Sequence, residues 1–318
     1  MTATFILSIM NKIIAFALAA AIAVPLAAQQ DRAPFVLDNG QSFYRLDDAV
    51  RAVAGGDGVI TIAPGTYPEC AVVERGRLTL RAAKPGTAIF DGGTCEGKAT
   101  IVTRADELRI EGLVFQNIRV PDRTGAGIRL ERGDLVVTNS LFRNSEQGIL
   151  TANDPQGAIT IDKSTFSGLG GCPNGQCSHS IYIGDYGKLT VTRSRFERGT
   201  GGHYVKTRAA VVDVRDSSFD DTRGKATNYM IDLSAGATGV ISGNVFVQGR
   251  DKENYSALIA VAPEARSNRS AGLQIAGNDA SIAPGIDRAT VFVADWSRER
   301  LNIGANKIGP GIKAFESR

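Results

Sequence analysis

Short runs of alternating apolar and polar residues recur along the chain, and each run closes on a phenylalanine. Such a period of two is typical of a β-strand with one buried face. The runs follow one another at intervals of about 25 residues, which is the spacing of a structural repeat. Similar segments continue around Ile275 and Ile303. The phenylalanines that close the runs are Phe115, Phe142, Phe166, Phe196, Phe219 and Phe246.

A second apolar strand precedes each of these runs at a nearly constant distance. One such unit cannot bury its apolar face alone, so the units are predicted to stack into a solenoid with a continuous core. An antiparallel sandwich also contains many short strands, but it does not account for six phenylalanines in phase. The second strands are centred on Ile101, Ile128, Ile149, Ile181, Val205 and Ile231.

The segment before the repeats has the plan of a secretory signal peptide. A positive start at 10–12 is followed by an apolar run over 13–26 and by the small residues Ala27 and Ala28. We therefore predict a signal peptide over residues 1–28. An uncleaved N-terminal anchor is the alternative, although the run is shorter than the about 20 apolar residues of a membrane-spanning helix.

The remaining residues, 29–318, are predicted to form one domain. A chain of about 290 residues has room for one large β domain or two ordinary ones, and a repeat that runs from about 56 to 312 favours one. Translation begins at Met1 or Met10. Export places the protein in the periplasm or outside the cell, where we expect a monomer with no membrane contact after cleavage.

Composition agrees with β structure rich in turns, because the chain has 36 glycines and many Val, Ile and Thr residues. The net charge of +3 is mild, and the sequence contains no block of Lys and Arg. These features exclude a nucleic acid as the expected partner. A polyanion still suits the chain if its positive charges gather on one face.

Residues 42–54 form the one amphipathic helix of the sequence, with Ser42 as the predicted N-cap. The segments GDGVITIAPGTYPEC and RLTLRAAKPGTAIFDG follow it. A short helix, then Pro-Gly-x-Tyr, then Phe-Asp-Gly resembles the N-terminal cap and first coils of pectate-lyase-like proteins. The resemblance implies an all-β fold, a single-stranded right-handed parallel β-helix behind a short capping helix. That superfamily includes periplasmic or secreted polysaccharide lyases, uronan epimerases, polygalacturonases and non-catalytic carbohydrate proteins, so it does not name the reaction.

The chain has four cysteines, an even number behind a signal peptide. Export and proximity in sequence predict two disulfides, Cys70–Cys95 and Cys172–Cys177. A metal site is the competing interpretation, but the two histidines do not have zinc-site spacing relative to the thiols. We therefore predict no metal.

The densest chemical cluster lies on three consecutive repeats. His179 and His203, the only histidines, are one repeat apart and should stack. Side chains alternate along a strand, so the residues next to the inward-facing ones should line the outer face. The outward set comprises Arg129, Tyr182, Lys206 and Asp232 in one column, Tyr204 beside it, and Arg208 and Tyr229 nearby.

These residue types suit the chemistry of uronic acids. Lys206 and Arg208 can hold a uronate carboxylate, Arg through two hydrogen bonds, and this acidifies the neighbouring C5–H. His203, His179 or Tyr182 can then move the proton, while the cations stabilise the developing enolate. The predicted substrate-binding residues are Tyr204, Asp232, Arg129 and Tyr229.

Each of these residues also has a structural interpretation. Stacked histidines can form a ladder that satisfies hydrogen bonds at a corner. Lys206 and Arg208 can be solvated charges, and Tyr182 and Tyr204 can simply cover a sheet face. Their coincidence on one face favours a site.

Polygalacturonase-like hydrolases carry Asn-Thr-Asp and then paired aspartates before Gly-His-Gly. Here no Asn-Thr-Asp occurs, and Asp220-Asp221 follows His203, so hydrolysis by paired carboxylates is disfavoured. Alternation should scatter Asp213, Asp216 and the Asp220-Asp221 pair, which disfavours a calcium site. We predict action on an acidic polysaccharide by β-elimination or C5 epimerisation, without a cofactor. A non-catalytic glycan-binding or structural β-helix is the alternative.

Overall fold

Short strands make up most of the chain, and nearly all of them pair with the strands one repeat before and one repeat after. The structure is a computed structural model and describes residues 33–173 and 177–318. The predicted signal peptide lies outside the described residues. Residues 33–318 form one compact unit.

The strands stack into three sheets. In spatial order, the first sheet contains Ser42–Phe43, Phe35–Leu37, Asp57–Ile62, Arg77–Ala82, Glu107–Glu111, Asp134–Thr138, Asp154–Asp162, Tyr186–Thr192, Val211–Arg215, Thr238–Ser242, Gln274–Ala276 and Asn302–Ile303. The second contains Gly65–Tyr67, Ala88–Asp91, Leu113–Gln116, Leu141–Arg143, Thr165–Ser167, Arg195–Glu197, Ser218–Asp220, Val245–Gln248, Asp279–Ile282 and Lys307–Ile308. The third contains Ala71–Val73, Ala99–Thr103, Ala126–Leu130, Gln147–Thr151, Ile181–Ile183, Val205–Thr207, Ile231–Leu233, Ala257–Val261, Thr290–Asp295 and Ile312–Ser317.

The chain visits the third, first and second sheets in turn and so winds through about nine coils. The strands pair in parallel except at the N-terminal end, where Phe35–Leu37 pairs antiparallel with Ser42–Phe43 and Asp57–Ile62. The predicted all-β right-handed parallel β-helix is confirmed.

The phenylalanines form one continuous column inside the second sheet, as their phase predicts. The column runs from Phe90 to Phe246, and the centroids of neighbouring rings are 4.8 to 5.5 Å apart. Each stacked aromatic pair contributes about 0.5–1.5 kcal/mol beyond the burial of its area. The column thereby fixes the register of successive coils.

A ladder of polar side chains joins successive coils at the turn between the first and second sheets. Each backbone N–H donates to the side-chain oxygen of the equivalent residue one coil later, at 3.0 to 3.2 Å. The ladder satisfies backbone donors that a turn would otherwise leave buried and unpaired. Its members are Ser140, Ser164, Ser194, Ser217, Asn244, Asn278 and Asn306.

The capping helix is shorter than predicted and spans Leu46–Ala52. Its N-cap is Arg45, which makes no side-chain capping hydrogen bond, so the prediction of Ser42 as the cap is wrong. Ser42 pairs instead with Val36 in a strand, and Glu69 of the first coil accepts the hydrogen bond of the Leu46 N–H at 3.3 Å.

Both predicted disulfides are present. The Cα atoms of Cys70 and Cys95 are 5.5 Å apart, and those of Cys172 and Cys177 are 4.0 Å apart. Within 33–173 and 177–318, no helix is long and apolar enough to cross a membrane.

Candidate functional site

Two strands of the third sheet, Val205–Thr207 and Ile231–Leu233, follow a residue that faces the core as their own first residue does. Tyr204 and Val205 both pack in the core, and so do Met230 and Ile231 one coil later. Strict alternation would place only one residue of each pair inside. The predicted outward orientation of Tyr204 is therefore wrong, and its predecessor His203 lies on the outer side instead.

The two histidines stack, and Tyr229 extends the stack by one coil. The ring centroids of His179 and His203 are 4.9 Å apart, and those of His203 and Tyr229 are 5.5 Å apart. The backbone N–H of His203 donates to His179 Nδ1 at 3.0 Å, so the neutral His179 ring carries its proton on Nε2. The edge of the stack meets Tyr182, whose ring centroid is 5.2 Å from that of His179.

Both imidazoles are nearly inaccessible, with 5% of His179 and 8% of His203 exposed. Burial lowers the pKa of both rings well below the usual range of histidine, and the charge of Lys206 lowers the pKa of each further. Both rings are therefore neutral at physiological pH.

Lys206 lies beside the stack and contacts two carboxylates. Its Nζ is 3.1 Å from Asp232 Oδ2 and donates a second hydrogen bond to Glu264 Oε1. Asp232 Oδ2 also lies 3.4 Å from His203 Nε2. Burial lowers the pKa of Lys206, but the charges of Asp232 and Glu264 outweigh burial and the net shift of its pKa is upward. Lys206 therefore stays protonated.

Arg208 completes the cationic part of the site. It donates one hydrogen bond to Glu264 Oε2 and another to the hydroxyl of Tyr182. Its guanidinium carbon and Lys206 Nζ lie 5.3 and 5.6 Å from the centroid of the Tyr182 ring, within the range of a cation–π interaction. We call Lys206 and Arg208 the carboxylate clamp, because together they hold the two oxygens of one carboxylate, that of Glu264.

Asp232 belongs to the outward column, as predicted, but only 1% of it is exposed. Burial raises its pKa, and the neighbouring Lys206 offsets part of that rise. Asp232 Oδ1 and His203 Nδ1 are buried, and neither makes a hydrogen bond of good geometry to a described residue. Buried polar atoms without partners are uncommon, and at a cluster of titratable groups they mark a functional-site candidate.

Tyr204 belongs to a second polar network that the sequence analysis missed. Its hydroxyl donates to Asp221 Oδ1 at 2.6 Å, and Asp221 Oδ2 is 3.1 Å from Lys252 Nζ. Burial raises the pKa of Tyr204, and the charge of Asp221 adds to the rise. With 1% of its surface exposed, Tyr204 has no face for a glycan.

Arg129 is also held away from the clamp. It aligns with Leu150, which aligns with Tyr182, so it shares the outward column but lies two coils from Tyr182. Its Nε is 3.1 Å from Glu131 Oε1, which also contacts Lys98 at 3.1 Å. The structure therefore places Arg129 in a separate ion-pair cluster.

Glu264 is the member of the site that the sequence analysis missed. It lies in the segment after strand Ala257–Val261, and it reaches Lys206 across 58 residues of sequence. The signal that could have found it is register. Ala260 aligns with Asp232. The segment after Ala260, which contains Glu264, therefore lies beside the segment after Asp232.

No three His, Cys, Asp or Glu side chains converge on a metal-sized site in residues 33–173 and 177–318. Three of the four aspartates considered for calcium pair with different cations. Asp213 pairs with Arg215, Asp220 pairs with Arg195, and Asp221 is buried beside Lys252. Independence from a cofactor stays a prediction.

The family model described as a right handed beta helix region matches residues 99–283, more than half of the 318-residue chain. The chain therefore belongs to the right-handed β-helix family, as the resemblance implied. No curated protein matches the chain in sequence.

Solved structures similar to the chain include an alginate lyase from Paenibacillus sp. str. FPU-7, with 14% identity over 85% of this chain and 94% of that one and a TM-score of 0.46. A pectin methylesterase mutant in complex with a hexasaccharide has 13% identity over 87% of this chain and 78% of that one, with a TM-score of 0.42. A PL6 family alginate lyase has 13% identity over 81% of this chain and 35% of that one, with a TM-score of 0.41.

Proposed function

We propose that the protein binds an acidic polysaccharide on the outer face of the third sheet and moves the C5 proton of a bound uronate. One observation carries the proposal. Lys206 and Arg208 hold a carboxylate between them, directly beside the hydroxyl of Tyr182. Such a clamp is the first requirement for chemistry next to a carboxylate carbon.

A uronate in the clamp becomes a stronger carbon acid. Hydrogen bonds from Lys206 and Arg208 withdraw charge from the carboxylate, which makes loss of the C5 proton easier. When that proton leaves, its electron pair spreads into the carboxylate as an enolate. The two cations then stabilise a charge that is larger in the transition state than in the bound substrate.

Tyr182 is the group placed to exchange the proton, which its oxygen accepts from C5 in the deprotonated, phenolate form. It is partly exposed, and Arg208 donates to its hydroxyl, so its oxygen lies next to the carboxylate that the clamp holds. Tyr and His are both suited to proton transfer, but the two imidazoles are almost fully covered. We therefore assign Tyr182 the contact with substrate and assign His179 and His203 the positioning of Tyr182 and Asp232.

Two products follow from the same enolate. If the C4–O4 bond breaks, the oxygen leaves with a proton and the sugar keeps a C4–C5 double bond, which is β-elimination. If C5 regains a proton on its opposite face, the sugar is epimerised.

The proposed location is the periplasm or the exterior of the cell, where disulfides such as Cys70–Cys95 persist.

Incubation with alginate, pectate and glycosaminoglycans in heavy water tests this function. We expect the C5–H signal of one of these polymers to disappear by nuclear magnetic resonance, because both outcomes break the C5–H bond. Epimerisation then returns a deuteron to C5, whereas elimination leaves C5 without hydrogen in the C4–C5 double bond. Ultraviolet absorbance of the unsaturated product then separates elimination from epimerisation. Binding without loss of the C5–H proton in any polymer would refute proton transfer and leave a binding protein.

Replacing Arg208 by alanine should weaken polysaccharide binding and turnover together, because one side of the clamp is lost. Charge-assisted hydrogen bonds contribute about 1.5–3 kcal/mol, so binding should weaken about 10- to 100-fold. Titration calorimetry measures the binding. Arg215→Ala is the control, because Arg215 forms an ion pair with Asp213 on the first sheet. Equal affinities of the two variants would contradict the clamp.

A non-catalytic glycan-binding protein is the second candidate, and the burial of both imidazoles favours it. A base that removes a carbon-bound proton must reach the substrate, and less than a tenth of each histidine is exposed. In this case the clamp and the Tyr182 ring hold the glycan without cutting it.

A further inference from the structure

The clamp is already occupied by a group from the protein itself. Glu264 places one carboxylate oxygen on Lys206 and the other on Arg208. This two-point contact is the arrangement that the proposed function requires of a substrate carboxylate. The same two donors cannot serve both carboxylates in this geometry.

The Glu264 side chain is the accessible member of the charged cluster. The exposed fraction of the side chain is 43% for Glu264, 31% for Arg208, 8% for Lys206 and 2% for Asp232. Removing it from the clamp therefore exposes little new apolar surface, and its carboxylate can pass into water. Asp232 is buried and remains beside Lys206 when Glu264 leaves.

The backbone under Glu264 is anchored to the preceding coil. The N–H groups of Glu264 and Ala265 both donate to Ser234 O, at 3.1 and 3.0 Å. The Asn268 side chain donates to Arg208 O at 2.9 Å. Rotation of the Glu264 side chain can therefore empty the clamp without movement of the segment that carries it.

Charge decides which ligands can take its place. The clamp carries two positive charges, which Asp232 and Glu264 balance. Once Glu264 leaves, Lys206 retains Asp232, whereas Arg208 retains only the neutral hydroxyl of Tyr182. One positive charge is then uncompensated, so an anionic ligand replaces Glu264 at low electrostatic cost and a neutral sugar does not.

We infer that Glu264 is an internal competitor that occupies the carboxylate subsite, and that an acidic ligand binds by displacing its side chain. The identity of that ligand as a uronate rests on the proposed function. The displaceable carboxylate itself rests only on the contacts of Glu264. Competition by Glu264 limits binding to carboxylate-bearing glycans and keeps their affinity moderate.

The first test compares Glu264→Ala with the wild type by titration calorimetry against oligouronates and a neutral oligosaccharide. Removing the competitor should tighten oligouronate binding about 10- to 100-fold, the range for charge-assisted hydrogen bonds, and leave neutral sugars unchanged. Glu316→Ala is the matched control. Glu316 also contacts a Lys and an Arg, Lys313 and Arg318, and it lies in the last strand of the third sheet. Equal oligouronate affinity of wild type and Glu264→Ala would overturn the inference.

The second test uses acetate as a small carboxylate probe and does not depend on any polysaccharide. Acetate should raise the melting temperature of Glu264→Ala, compared with chloride at equal ionic strength, because a ligand of the native state stabilises it. Wild type and Glu316→Ala should not respond. Lack of an acetate effect on Glu264→Ala would overturn the inference. An acetate effect without oligouronate binding by either protein would retain the displaceable carboxylate and refute the proposed substrate.

Discussion

Replacing Tyr182 by phenylalanine should lower the rate of C5-proton loss by about 10²- to 10⁴-fold, the usual contribution of a positioned acid or base. The substitution removes only the hydroxyl that Arg208 contacts. The ring keeps its cation–π contacts with Lys206 and Arg208. We therefore expect turnover to fall while the affinity for the polysaccharide changes little, because the clamp remains.

Tyr255→Phe is the control for this substitution. Tyr255 is half exposed, and the Arg288 guanidinium carbon lies 4.5 Å from its ring centroid. Tyr255 thus shares the ring and the neighbouring cation with Tyr182 but lies outside the clamp, so Tyr255→Phe should remove the C5 proton as fast as the wild type. A Tyr182→Phe variant that removes C5 protons as fast as Tyr255→Phe would remove Tyr182 from the mechanism.

The fold could be predicted because the repeat encodes it several times. Every coil repeats the same inward positions. Once Phe115, Phe142 and the later phenylalanines are recognised as equivalent, the register of all coils follows. A single departure from the pattern, such as Gly239 at the position equivalent to Val212, does not change the alignment of the coils. The capping helix lacks this redundancy, and the sequence predicts its N-cap three positions too early, at Ser42 rather than Arg45.

The candidate site could be predicted only in part, because one local feature breaks alternation. At two strand starts, the first strand residue and the residue before it both face the core, Val205 with Tyr204 and Ile231 with Met230. A period-2 pattern contains no signal for such a doubled position when both residues are apolar or aromatic. Tyr204 was therefore placed on the wrong face, whereas Lys206 and Asp232, which follow the doubled position, were placed in the correct column.

Glu264 and Lys252 were missed for a different reason. Both lie in segments between strands, where coil lengths vary and the repeat does not fix which residue meets which. Their partners Lys206 and Asp221 are 58 and 31 residues away in sequence. Such contacts depend on the path of each loop, which hydrophobic periodicity does not describe.

The protein should lose stability as the pH falls below about 6.5, the usual pKa of histidine in an unfolded chain. His179 and His203 are the only histidines of the chain, and the folded state lowers the pKa of both, chiefly by burial. Between the lowered pKa and about 6.5, the unfolded state binds protons that the folded state does not. The free energy of unfolding therefore falls with decreasing pH, by up to about 1.4 kcal/mol per pH unit for each ring.

Replacing His203 by phenylalanine tests the origin of this dependence. The new ring can stack between His179 and Tyr229 but cannot take up a proton, so the slope of stability against pH should fall to about half. Asp232 works in the opposite direction, because burial raises its pKa and the folded state then binds the extra proton. As the pH falls, its effect begins at the raised pKa of the folded state and is complete near the unfolded value of about 3.9. Asp232 is present in both proteins, so the difference between wild type and His203→Phe in urea denaturation between about pH 7.5 and pH 5 reports on His203. A wild-type stability that does not change over this range, or a slope that His203→Phe leaves intact, would show that the buried imidazoles are not the groups that take up the protons.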